Sequence, residues 1–75
     1  MKPKFNIQID LNGWMIPFHI ERKGYGIFKI AYENTSLGYL MLTEKMQWLY
    51  IRNVATGDLL NPPTRTKISE AIINY

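Results

Sequence analysis

The sequence predicts a small α+β domain in two layers: an antiparallel β-meander of about five strands followed by one C-terminal α-helix packed on one sheet face. Three observations predict it. Two stretches that alternate strictly between apolar and polar residues flank an Asn-Gly pair. Three further short apolar stretches are each bounded by turn residues. After a proline pair the apolar spacing changes from a period of two to that of a helix.

The first strand, about 4–11, sets Phe5, Ile7, Ile9 and Leu11 against Lys4, Asn6, Gln8 and Asp10. The second, about 14–21, repeats the pattern with Trp14, Ile16, Phe18 and Ile20. Asn12-Gly13 between them suits a type I′ turn, which needs positive φ at both central residues. That two-residue loop sets the register. Leu11 pairs with Trp14, Ile9 with Ile16, Ile7 with Phe18 and Phe5 with Ile20, all apolar. On the other face Lys4 meets Glu21, Asn6 meets His19, Gln8 meets Pro17 and Asp10 meets Met15. A slip of one residue would turn every apolar side chain to the wrong face.

His19 therefore reads as a surface or hydrogen-bonded strand histidine opposite Asn6, and Trp14 as a residue at the edge of the core. Pro17 lacks an N–H that would point at the third strand, so a break or bulge between the second and third strands is expected near it.

The third strand, about 26–32, follows the turn "RKGYG". With Phe28, Ile30 and Tyr32 on the core face, Ile20 is expected opposite Phe28 and Phe18 opposite Ile30, across a three-residue loop with Gly24 or Gly26 at positive φ. "ENTSLG" reads as a turn before the fourth strand, about 38–43, and "EKM" as the loop before the fifth, about 47–52. Pairing Leu42 with Trp48 and Leu40 with Tyr50 leaves Tyr39 opposite Ile51 and Met41 opposite Leu49 on the reverse face.

A loop over 53–62 ends the sheet, and the spacing predicts a helix over about 63–74. Asn61 is a candidate cap, with Pro62 or Pro63 in the first turn. Leu60, Thr64, Ile68, Ala71, Ile72 and Tyr75 fall on one face. Thr66, Ser69, Glu70 and Asn74 fall towards water, and so does Ile73, which does not fit there.

The length, 75 residues, suits a single domain over 1–75. A chain of this size buries only about 60% of its unfolded surface. It has no cysteine to staple it, and small domains often gain the missing burial by oligomerising. The opening "MKPKFNIQID" lacks the apolar stretch of a signal peptide, and a cytoplasmic location is expected.

No enzyme, cofactor or metal site is expected. The single histidine has no second ligand or nucleophile at useful spacing, and Gly24 and Gly26 lead into a strand rather than a helix. Two surfaces stand out instead. Tyr39, Met41, Leu49 and Ile51, joined by Ile27, would leave an apolar patch on the uncovered sheet face, which fits a homodimer or a docked protein partner. Lys2, Lys4, Arg22, Lys23 and Lys45, with Tyr25 among them, gather at one end of the sheet against Glu21 and Glu44. Asp10, Glu33 and Asp58 lie with Arg52 at the other end.

Basic groups interleaved with an aromatic can hold single-stranded nucleic acid through phosphate contacts and stacking. The order of antiparallel strands followed by one helix is similar to the sheet-plus-helix units of the PUR-alpha and Whirly families, and that resemblance of strand order implies single-strand binding at the basic end. No motif of those families occurs here. The leading expectation is a non-enzymatic interaction module that self-associates through the apolar face.

Overall fold

The computed structural model describes residues 3–53 and 60–75. Strands β1 (Lys4–Leu11), β2 (Trp14–Gly24), β3 (Ile27–Tyr32), β4 (Thr35–Leu42) and β5 (Trp48–Arg52) form one antiparallel sheet in the order β1-β2-β3-β4-β5. Helix α1 (Pro62–Ile73) follows. Lys2, Asp58 and most of the 53–62 loop lie outside the described residues.

Local chemistry accounts for most of this. Asn12 and Gly13 both have positive φ, as the two-residue turn requires, and Asp10 Oδ1 accepts from the Gly13 N–H at 2.9 Å. The β1–β2 register is the one the alternation dictates, from Lys4 opposite Glu21 to Leu11 opposite Trp14. The β4–β5 pairing likewise sets Met41 against Leu49 and Tyr39 against Ile51. Their loop, Glu44-Lys45-Met46, closes with the Thr43 N–H on the Gln47 carbonyl at 2.8 Å, and Met46 takes a left-handed φ of 61°.

The β2–β3 register departs from expectation by two residues. Ile20 lies opposite Ile30, and Arg22 opposite Phe28. The pairing shifts between Arg22 and Gly24, so Lys23 bulges, β2 continues to Gly24, and the turn shrinks to Tyr25-Gly26. An even shift keeps every side chain on its face, so the core survives it. The pairing of β2 with β3 ends at His19 opposite Ala31, two residues short of Pro17, while the bulge itself sits at the other end of the strand.

β4 begins at Thr35, earlier than its turn-like composition suggests. Glu33, with φ of 55°, makes the preceding turn, and Gly38 lies inside the strand with φ of 126°. A Cβ on Gly38 would collide with the Ile51 carbonyl oxygen, so β5 approaches as it does only because position 38 is glycine. The register of β3 and β4 shifts between Ile30 and Ala31, which leaves Leu37 as the extra residue and turns it into the core.

The core lies between the sheet and α1. Phe5, Ile7, Ile9, Phe18, Ile20, Phe28, Ile30, Leu37 and Leu40 meet Leu60, Ile68 and Ile72. α1 therefore covers the Phe18–Ile30 face and leaves the Met41 side open. Asn61 caps the helix, its Oδ1 accepting from the Thr64 N–H at 3.0 Å, with prolines in the first turn.

Three side chains sit otherwise than expected. Ser69 is buried rather than facing water, its hydroxyl donating to the Thr66 carbonyl at 2.8 Å. Leu40, Trp48 and Tyr50 of the sheet line a hollow with Arg65 and Ser69 of the helix. The Arg65 guanidinium lies 4.6 Å from the Tyr50 ring centre. Trp14 is 74% exposed and is no core-edge residue: Leu11, Ile16 and Phe18 border a hollow with Asn61 and Thr64 at the start of α1, and Trp14 does not line it. Tyr32 is also exposed, although its ring lies 6.1 Å from that of Phe18.

Candidate interaction surfaces

The reverse face of the sheet changes character from one side to the other. One row of cross-strand neighbours runs Lys4, Glu21, Lys29, Tyr39, Ile51. The next row towards the Tyr25 end runs Ile27, Met41, Leu49. Charge thus occupies β1 to β3, and apolar side chains occupy the start of β3 with β4 and β5. Met41 and Tyr39 are half-buried by their neighbours. Leu49 and Ile51, on the outer strand, remain 53% and 49% exposed. Ile27 joins the patch through its pairing with Met41. Each of the four residues expected to form an apolar patch lies on this face, side by side.

The basic end is less coherent. The strand directions do bring Lys4, Arg22, Lys23 and the Glu44-Lys45 loop to one end, but on two faces. Arg22 pairs with Phe28 and lines a hollow of about 670 Å³ on the helix-bearing side with Tyr25, Leu42, Glu44 and Met46. Lys4 lies on the reverse face. Lys23 is drawn to that side by a 3.1 Å ion pair with Glu21. Tyr25, at the turn, is 94% exposed and carries no stacking partner among the described residues.

Glu21 is the electrostatic centre of this region. The Lys23 hydrogen bond holds its carboxyl below the usual glutamate range; desolvation opposes it, and the charges of Lys23, Lys4 and Lys29 each add a smaller lowering effect. Lys29 was not among the residues the sequence marks for this site. The two-residue shift of register brings it opposite Glu21, where the expected register would have put Ile27.

His19 Nδ1 lies 2.5 Å from Asn6 Oδ1, the neighbour that the hairpin register assigns it. The pair borders a hollow of about 550 Å³ with Lys4, Glu21, Lys29 and Glu33. Among the described residues no three acidic or histidine side chains are grouped to hold a metal ion, and no helix is long and apolar enough to cross a membrane. No family model, no curated protein and no solved structure matches this chain.

Proposed function

We propose that the chain is a small non-enzymatic interaction module whose role is self-association, a second copy docking face to face on the reverse side of β4 and β5 through Tyr39, Met41, Leu49 and Ile51. The observation that carries this reading is the half-exposure of Leu49 and Ile51 on one face of one strand, beside Met41 and Tyr39. Two sheets pack in this way at about 10 Å with their apolar rows interdigitated. The patch bears no charge of its own, so a second copy brings no like charge into its centre.

Magnitudes set the strength. Fully burying a leucine or isoleucine contributes about 1.5–3 kcal/mol, so the exposed halves of Leu49 and Ile51 on two copies give about 3–6 kcal/mol. Association itself costs about 4 kcal/mol or more. Met41 and Tyr39 must contribute a further sum of about 2–5 kcal/mol for the Kd to reach about 1 mM, so the association is weak.

Light scattering after size exclusion, from about 10 μM to about 1 mM, tests the reading. The mass should rise with concentration. Leu49→Lys should lower it at every concentration without changing the melting temperature much, since that side chain is half in water already. A wild-type chain that stays monomeric at the top of the range, or a Leu49→Lys variant with the wild-type mass profile, overturns the proposal.

A second reading rests on Tyr25, held out in solvent at the turn that follows Arg22 and the Lys23 bulge. In it the Tyr25 turn stacks on a base of single-stranded nucleic acid while the neighbouring cations, with Lys4 and Lys45, meet phosphates. Such binding would fall steeply with salt and weaken in the Arg22→Ala, Lys23→Ala double variant. Absent or salt-insensitive binding to a single-stranded oligonucleotide removes it.

A further inference from the structure

The outer edge of β1 is chemically its own complement. The two-residue turn closes on Leu11 and Trp14, so the odd-numbered residues of β1 exchange main-chain hydrogen bonds with β2. Lys4, Asn6, Gln8 and Asp10 consequently turn their N–H and C=O groups outward. Two contacts bear out this alternation. The Arg22 N–H donates inward to the Pro3 carbonyl at 2.7 Å, and the Lys67 amine reaches the Asp10 carbonyl from outside at 2.7 Å.

Sheet edges in proteins are ordinarily blunted by a bulge, a proline or a covering element. β1 pairs with β2 over eight residues without a register shift, and no proline interrupts Lys4–Leu11. Among the described residues the Lys67 amine is the only side chain bonded to this edge, and it occupies one carbonyl, which retains a second lone pair.

We propose that β1 pairs antiparallel with β1 of a second copy about a two-fold axis through Ile7, joining two five-stranded sheets into one. The occupant follows from the residues themselves. About that axis Lys4 of each copy faces Asp10 of the other, and Asn6 faces Gln8, as main-chain hydrogen-bonded pairs. Phe5 faces Ile9 and Ile7 faces itself on the helix-bearing side. Every pair is matched, cation with anion, amide with amide, apolar with apolar. Moving the axis to Asn6 or Gln8 takes Lys4 away from Asp10, and parallel in-register pairing sets like charge on like. The two-fold also repeats each contact, as an isologous interface requires. This surface is separate from the Leu49 face, and the inference does not rest on the self-association proposed there.

Hydrogen exchange on the wild-type chain tests it without any mutation. The Asn6 and Gln8 amides have no partner among the described residues of a lone chain and should exchange fast when dilute, then slow by about tenfold or more as concentration rises. The register has its own readout. In a mixture of isotope-labelled and unlabelled chains, a filtered Overhauser experiment should connect Phe5 Hα of one chain with Ile9 Hα of another. Within one strand those atoms lie about 13 Å apart, too far for the effect. Gln8→Pro removes one outward N–H and no bond to β2, and should abolish the concentration dependence at Asn6. Should the proline disturb the hairpin, Lys4→Glu, which opposes Asp10 of the other copy with like charge, should weaken the same dependence. Concentration-independent fast exchange at Asn6 and Gln8, or an intermolecular Hα–Hα contact from Phe5 to any residue other than Ile9, overturns the proposal.

Discussion

Tyr75 stacks on Phe5, ring centres 4.1 Å apart and planes 23° from parallel, so the last residue of the chain lies over the start of its first strand. With Lys67 on the Asp10 carbonyl at the other end of β1, this contact makes α1 run back along β1, antiparallel to it. The helix is thus attached to the outermost strand of the sheet, and the far side of β4 and β5 is not covered by it.

Removing the stack tests how firmly the helix end is held. Tyr75→Ala should cost about 1 kcal/mol, the usual worth of an aromatic pair beyond its buried area, and lower the melting temperature by about 4–8 °C. Tyr75→Phe should keep it. Circular dichroism melts of the three chains at one dilute concentration are the check.

Gly38→Ala should be the most damaging glycine substitution. It imposes a φ of 126° on a residue with a side chain and drives a Cβ into the Ile51 carbonyl oxygen. The strain alone costs about 1–3 kcal/mol, and parting β4 from β5 adds to it. Gly24→Ala meets only ordinary contact with Ile27, at 3.5 Å, and should be tolerated. Urea titration of both variants should separate them by at least about 2 kcal/mol.

Met46→Gly should stabilise the protein. Met46 is exposed in a left-handed conformation, which costs about 1–2 kcal/mol in a residue with a Cβ, while glycine's extra unfolded-state freedom returns about half of that. A net gain of about 0.5–1 kcal/mol is expected, read as a higher urea midpoint with an unchanged slope.

Asn61→Ala deletes the acceptor for the Thr64 N–H and should cost about 1 kcal/mol. Asn61→Asp should hold or exceed the wild type, since the first turn of α1 contains no acidic residue to offset the helix dipole. Thermal melts at neutral pH compare the three.

The Glu21 carboxyl should titrate below the usual glutamate range in an NMR pH series, and Lys23→Ala should move it upward, because the Lys23 hydrogen bond is the main cause of the depression. The folded-state pKa is the lower one. The contribution of Glu21 to stability is therefore present above the unfolded glutamate pKa and is lost as pH falls through the folded value. Glu21→Gln should flatten that part of the acid limb only slightly, since an exposed pair is screened by solvent and salt.

Much of the fold was legible in the sequence because local rules settle it. Strict alternation on both sides of Asn12-Gly13 admits one register, and the "EKM" loop between two apolar stretches did the same for β4 and β5. Proline and asparagine before a helical period marked the start of α1. The turn "RKGYG" carried no such constraint. Its two glycines permit loops of more than one length, and registers two residues apart bury the same side chains, so hydrophobic pattern cannot choose between them. The bulge at Lys23 made the choice, and with it placed Lys29 beside Glu21. For the candidate surface, the sequence supplied the alternation that puts Tyr39, Met41, Leu49 and Ile51 together. Which face the helix covers was decided in three dimensions, by Leu60, Ile68 and Ile72 closing over Phe5, Ile7, Ile9 and Ile20. The same packing buried Ser69 and left Trp14 in water, because both depend on where α1 lies on the sheet rather than on any one stretch of the chain. The sequence by itself determined the order of the strands, two of the four registers and the helix; the tertiary structure decided the two middle registers, the start of β4 and the free face, because even slips bury the same side chains and only packing against α1 tells one apolar face from the other.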